Sequence, residues 1–209
     1  MNLRVRSGGG PLPVTAGILL AAGLSRRMGR AKLLLLLDGR PVVRHAAEGL
    51  LAAGVEPLSA VVGPDGDAVT AALADLRVRI VVNPHPEAGQ ASSLVAGIAA
   101  LPPGTEAVVV ALGDQPFVPA DVIRELIYAL QGSDKVIATP RYRDGLGNPV
   151  LFRAAVFPEL LALGGDRGAR AVVDRDEARV ALVEVDRPMP EDVDTPDDYA
   201  RLRSREEPV

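Results

Sequence analysis

LLAAGLSRRMGRAK, Leu19 to Lys32, continues an apolar run that opens at Ala16. A buried strand that empties into small residues, three arginines and a lysine is built to receive an anion. Ala21, Ala22 and Gly23 let a ligand come close to the backbone, and glycine tolerates the positive φ that such loops often need. Ser25, Arg26, Arg27, Arg30 and Lys32 then offer a hydroxyl and four positive charges to phosphate oxygens, with arginine suited to bidentate contact. A basic loop by itself is usually a solvated turn. This one follows the first expected strand at its carboxyl end, the ligand crevice of an open α/β sheet. Neither common phosphate loop fits it: Gly29 follows Gly23 by one position too many for a P-loop, Lys32 does not adjoin that glycine, and G-x-G-x-x-G is absent.

Outward from this loop, apolar runs alternate with helical segments, the pattern of a mostly parallel sheet. Strands are expected at Val14–Leu20, Leu58–Val62, Arg79–Val82, Ala107–Leu112, Lys135–Thr139, Pro149–Phe152 and Val180–Val185. Helices are expected at Pro41–Ala53, Asp67–Leu76, Ser92–Leu101, Pro119–Leu130, Ala154–Leu163, Ala169–Asp174 and Pro196–Leu202. Pro41 and Pro119 suit first-turn positions, where the missing N–H costs nothing. The LLLLL run Leu33–Leu37 reads as a buried extended segment ending at the Asp38-Gly39 turn. The fold class is therefore α/β, a single-domain Rossmann-like three-layer sandwich with a mostly parallel central sheet. The expected domain spans 14–203, with disordered tails at 1–13 and 204–209.

Composition agrees. The 209 residues suffice for one α/β core but not for a second sizeable domain. Aromatic residues make up only 3% of the chain, so stacking platforms are scarce, and a net charge of −4 argues against a nucleic-acid partner. There is no cysteine, which excludes disulfides, thiolate metal sites and cysteine nucleophiles. No apolar run reaches transmembrane length, and MNLRVRSGGGPLP lacks the apolar centre of a signal peptide. A cytoplasmic location without membrane attachment is the expectation.

Three further strings carry chemistry. In ALGDQPFVPAD, Asp114 lies just past an expected strand and is separated from the next helix by four residues, which favours cation binding over capping. Mg²⁺ needs only one or two carboxylates beside water and phosphate oxygens. In EDVDTPDDY, Thr195 reads as an N-cap with Pro196 at the first helical position, and Asp197 and Asp198 suit the helix dipole. Capping does not account for Asp192 and Asp194, which an extended D-V-D would aim to one side. In NPHPEAGQASSLVAGI, Gly89, Ser92 and Ser93 stand at a helix start whose N–H groups and hydroxyls can meet a polar base; Ser92 also reads as the N-cap. His85 is expected in a solvated loop, and His45 as structural or surface-exposed.

Leu20 to Lys32 resembles the LAAG-x-S-x-RMG-x-x-K signature of nucleotidyltransferases, above all the molybdenum cofactor cytidylyltransferase family, with every fixed position filled. GDQP, G-Q-x-S-S-L, the Asp144–Pro149 segment, GDRGAR and D-x-D-T-P-x-D resemble further elements of that family in the expected order. The resemblance implies transfer of CMP from CTP to a molybdopterin-type acceptor with release of pyrophosphate, Mg²⁺ as cofactor, and a recipient molybdoenzyme as a further partner. It implies Arg27, Lys32 and Asp114 as catalytic. Leu20, Ala21, Ala22, Gly23, Ser25, Arg26, Gly89, Ser92 and Ser93 join them in binding nucleotide. Asp114 with Asp194 or Asp192 would hold the metal, Asp194 being favoured. Gln115, Asn148, Arg167 and Arg170 are the candidates on the acceptor side, the two arginines reading equally well as structural pairs. Ala22 stands where related guanylyltransferases carry glycine, which points to CTP over GTP. Two other classes stay open: an NAD(P)-dependent oxidoreductase on the same sheet, against which the aspartates count, and a non-catalytic pterin carrier.

Overall fold

The computed structural model describes residues 15–23, 31–63 and 66–204. In chain order these form β1 (Thr15–Ala21), β2 (Leu36–Leu37), β3 (Arg40–Pro41), α1 (Val42–Ala52), β4 (Leu58–Val62), α2 (Asp67–Ala72), β5 (Val78–Val82), α3 (Gln90–Ala99) and β6 (Ala107–Leu112). They continue as α4 (Ala120–Gln131), β7 (Ile137–Tyr142), β8 (Gly145–Leu146), β9 (Val150–Arg153), α5 (Phe157–Leu161), α6 (Arg170–Val173), β10 (Val180–Glu184) and α7 (Pro196–Ser204).

The main sheet runs β10-β7-β9-β6-β1-β4-β5, with β8 added to β7. β9 is antiparallel to β6 and β7, and β8 to β7, while β1 pairs in parallel with both β4 and β6. Because strand residues alternate faces, β1 splits its apolar side chains between two layers. Leu19 and Ala21 pack with α1 and α4, whereas Ala16 and Ile18 pack with α3, α5 and α6. Ile18 and Leu19 are fully buried, each removal from water stabilising the fold by about 1.5–3 kcal/mol. The result is the expected single α/β domain: a mostly parallel sheet between two helical layers.

From β1 the chain steps to β4 and β5 on one side, then α3 carries it back to β6 on the other side of β1. Strand order thus reverses between β1 and β6, and the crevice beyond their carboxyl ends is the ligand position of such sheets.

The leucine run departs from expectation. Lys32–Leu34 form a 3₁₀ turn, only Leu36–Leu37 are extended, and Leu36 is exposed. The Asp38-Gly39 turn is where it was expected, with both residues at positive φ (46° and 70°), as a type I′ hairpin requires. Leu37 of this hairpin and Val42 of α1 cluster with Val193 and Leu202, so a small third core ties α7 to the hairpin. Other boundaries shift by a few residues: α3 begins at Gln90 rather than Ser92, Ala154–Val156 is 3₁₀ before α5, and Pro41 and Pro119 sit at the N-caps. Ser204, the first residue of the expected tail 204–209, belongs to α7; the rest of that tail and the expected tail 1–13 lie outside the described residues.

Candidate active site

The site starts where β1 and β6 end. Gly113 N–H donates to the Leu20 carbonyl at 2.9 Å, and a Cβ at 113 would stand 3.0 Å from that oxygen, so glycine lets the two strand ends stay close. Asp114 follows immediately. Its carbonyl accepts from Val193 N–H at 2.9 Å, which pins the D-V-D string beside it. Val193 is wholly buried in the third core. Extended alternation then turns Asp192 and Asp194 together toward the crevice.

Helix α7 holds this string from the other end. The Asp198 carboxylate accepts from the N–H groups of Asp194 and Thr195 at 3.2 and 2.7 Å, and Thr195 Oγ1 accepts from Asp198 N–H at 3.2 Å. That is a capping box, and it accounts for Thr195 and Asp198 as structural residues.

Lys32 joins the two segments. Its ammonium donates to Asp114 Oδ2 at 2.6 Å and to Asp194 Oδ1 at 2.7 Å. Burial opposes the charge, yet the neighbouring Asp114 and Asp194 carboxylates outweigh it and hold the Lys32 pKa above the ordinary lysine value. Side-chain exposures of 22% for Asp114 and 46% for Asp194 leave both carboxylates open to a ligand. Among the described residues no group of three or more His, Cys, Asp or Glu is placed to hold a metal. A cation on this pair would draw its other ligands from substrate and water, as Mg²⁺ does.

Asp192 takes a different partner. Gln115 Nε2 donates to Asp192 Oδ1, and Asp192 is pushed above the usual carboxylate range, first by burial and then by the charges of Asp114 and Asp194, against the Gln115 bond. The geometry thereby separates two aspartates that sequence reading left together: Asp194 shares a cation with Asp114, Asp192 braces Gln115. Gln115 is buried, and its Oε1 has no partner among the described residues.

The basic loop enters from β1. Leu20 gives its carbonyl to Gly113, Ala21 and Ala22 are buried, and a Cβ at exposed Gly23 would meet no described atom within 4 Å. Ser25, Arg26, Arg27 and Arg30 lie outside the described residues.

At the start of α3 the structure corrects the sequence reading. Gly89, not Ser92, is the N-cap. The N–H of Ala91 donates to Gly165 O at 3.1 Å, and that of Ser92 to Gly89 O at 3.1 Å, so neither is free for a base. Gly89 adopts φ 97°, and a Cβ there would fall 2.5 Å from the Gly165 carbonyl, so the GDRGAR loop docks on this helix start. The Ser92 hydroxyl lies 2.8 Å from Gly89 O and 2.9 Å from His85 O, with one proton to donate to either carbonyl, and both Ser92 and Ser93 accept from Asn83 Nδ2, at 2.8 and 3.0 Å. Asn83, buried at the end of β5, also accepts from His85 N–H at 3.0 Å. Sequence reading missed Asn83, although an asparagine directly after an apolar run and before proline is a turn signal. Asn83→Ala removes this hub. It is expected to cost about 1–3 kcal/mol and to lower Tm by about 2–12 °C in a thermal melt; an unchanged Tm would show the network to be dispensable.

Of the acceptor-side candidates, Gln115 adjoins Asp114 and braces Asp192, whereas Asn148, Arg167 and Arg170 make no hydrogen bond or ion pair to Asp114 or Asp194 among the described residues. Asn148 gives its carbonyl to the Tyr142 hydroxyl at 3.2 Å, and burial pushes the Tyr142 pKa up to about 12. Within Asp144–Pro149, Gly145–Leu146 pair antiparallel with Arg141–Tyr142 as the β7–β8 hairpin. Arg170 pairs with Asp174 at 3.0 Å, and exposed Arg167 makes a long 3.5 Å contact to Gly164 O. Of the histidines, His45 is buried with Nε2 2.7 Å from Leu37 O, and His85 is exposed beside Glu87 at 3.2 Å.

A strand-order switch with a lysine-bridged aspartate pair beyond the carboxyl ends of its strands has the layout of a nucleotide-handling α/β protein. Residues 17–180 match the model of the MobA-like NTP transferase domain, and the chain belongs to that family. It is an enzyme of the nucleotidyltransferase type. The nicotine blue oxidoreductase of Paenarthrobacter nicotinovorans is 34% identical over 91% of this chain and 97% of its own length. The molybdenum cofactor guanylyltransferase of Cereibacter sphaeroides is 37% identical over 56% of this chain and 58% of its own. The crystal structure of Rv0371c from Mycobacterium tuberculosis superposes with TM-score 0.84 at 35% identity, covering 93% of this chain and all of that one. A second structure of Rv0371c, TM-score 0.79 at 34% identity, is a complex with manganese and covers 91% of this chain and 98% of that one.

Proposed function

We propose that this chain transfers CMP from CTP to a phosphorylated molybdopterin-type acceptor and releases pyrophosphate. The convergence of Lys32, Asp114 and Asp194 at the carboxyl ends of β1 and β6 carries the reading. The guanylyltransferase relative supports the acceptor class, and alanine at position 22 supports cytosine over guanine.

The residues present fit a divalent cation. Asp114 and Asp194 bring hard oxygen ligands to one point, and that point already attracts the positive charge of Lys32. The manganese complex of Rv0371c agrees with such a site, and we assign Mg²⁺ to it here. When bound, Mg²⁺ supplies charge neutralisation at phosphate oxygens. The protein's own part is positioning. An oxygen of the acceptor phosphate attacks the α-phosphorus of CTP in line, the bond from that phosphorus to the bridging oxygen breaks, and pyrophosphate leaves. Lys32 and Arg27 meet the negative charge that grows on the leaving group. No covalent intermediate on the enzyme is involved.

Nucleotide choice is the test. Ala22 is buried beside the loop, and a purine needs more room there than a pyrimidine. In a mixture of equal CTP and GTP, the cytosine dinucleotide should predominate by about 10–100-fold, and Ala22→Gly should narrow that margin without reversing it. Predominance of the guanine product would replace the cytidylyl reading with a guanylyl one. A second reading, redox chemistry with NAD(P)H, is favoured by the name of the 34% identical oxidoreductase. NAD(P)H consumption without pyrophosphate release would select it.

A further inference from the structure

We propose that Lys32 competes with the divalent cation for the Asp114–Asp194 pair, so that the cation binds tightly only once a triphosphate has drawn the ammonium away. The inference rests on the metal-site reading above and adds an order of events to it. Two carboxylates that converge on one point repel each other unless a positive charge lies between them. In this structure that charge is the Lys32 ammonium, at hydrogen-bond distance from an oxygen of each. A divalent cation on the same two oxygens would sit against the ammonium, and two positive charges at such separation oppose each other strongly in a half-buried site. One must give way.

Lys32 is made to be the one that moves. Its backbone is set by the 3₁₀ turn, where Leu34 N–H donates to Ala31 O at 3.0 Å and Leu35 N–H to Lys32 O at 3.2 Å, and by the buried side chain of Leu33. The four-carbon stem carries a compact charge that can swing while the chain stays fixed. Triphosphate oxygens that enter the crevice would compete with the carboxylates for the ammonium. Released carboxylates would then be ready for the cation. Binding of metal to the empty enzyme would be weak, and nucleotide and metal would enter together.

Mn²⁺ titration by calorimetry, on the full chain without nucleotide, tests this. Lys32→Met keeps the stem and removes the charge, and Lys32→Gln serves as a second variant should the first fail to fold by circular dichroism. Mn²⁺ affinity should rise at least about tenfold in the lysine variant, and the gain should vanish in the Lys32→Met/Asp114→Asn double variant. Equal affinity in wild type and variant, both abolished by Asp114→Asn, would overturn the competition while leaving the metal site standing. No Mn²⁺ binding in any form would overturn both. Crystals of the wild type soaked in Mn²⁺ without nucleotide give a check that needs no variant: full anomalous occupancy between Asp114 and Asp194 at millimolar metal, with Lys32 unmoved, would contradict the proposal.

Discussion

Asp114→Asn is expected to abolish nucleotidyl transfer, with kcat falling by about 10³-fold or more, while the protein remains folded. The size of the effect follows from position. Asp114 stands just past β6 at the strand-order switch and shares Lys32 with Asp194. The amide keeps the shape of the side chain but not its charge, so the pair loses half of its negative charge and most of its hold on a cation. The fold should tolerate the change because the Asp114 contact that pins the D-V-D string is made by its backbone carbonyl to Val193 N–H. Pyrophosphate release alongside a thermal melt separates the two effects. Near-normal release from a folded variant would remove Asp114 from the chemistry.

Lys32→Ala is the second large expected loss, about 10²-fold in kcat with only a few-fold rise in KM for the nucleotide. The asymmetry is the point. A charge that meets pyrophosphate as it leaves acts more strongly on the transition state than on bound CTP, so its removal appears in kcat. The variant also leaves Asp114 and Asp194 facing each other without their shared ammonium. Its activity should therefore saturate at lower metal concentration than that of the wild type, a shift that a general folding defect would not produce. Matching losses in turnover and in the binding of free cytidine would instead mark such a defect.

What could be read from the chain was whatever local pattern controls. The apolar runs of β1, β4 and β6 are continuous because both faces of a central parallel strand are covered, so their positions were legible. The position of Asp114, past the end of β6 and well short of α4, was legible from the bounds of the apolar run. The Thr195–Asp198 cap was legible from spacing alone. Tertiary contacts decided the rest. Asp192 and Asp194 share one alternation phase, and only the placement of Gln115 and Lys32 separates them. Ser92 and Ser93 looked available at a helix start until Asn83 and the docked Gly165 loop took up their neighbourhood. Nothing within the string GQASS records that Gly165 will cap it from more than seventy positions away. The leucine run Leu33–Leu37 misled because uniform apolarity does not distinguish a 3₁₀ turn from a strand.

The central claim is metal-assisted transfer of a nucleotide at the Lys32–Asp114–Asp194 cluster. It is tested most directly by incubating the protein with CTP labelled at the α-phosphate, Mg²⁺ and a molybdopterin acceptor, and following both the label and pyrophosphate. One pyrophosphate should be released for each label moved to the acceptor, with dependence on the divalent cation and loss of both signals in Asp114→Asn. Label that stays in CTP whichever phosphorylated pterin is supplied, or transfer that continues unchanged in Asp114→Asn, would contradict it.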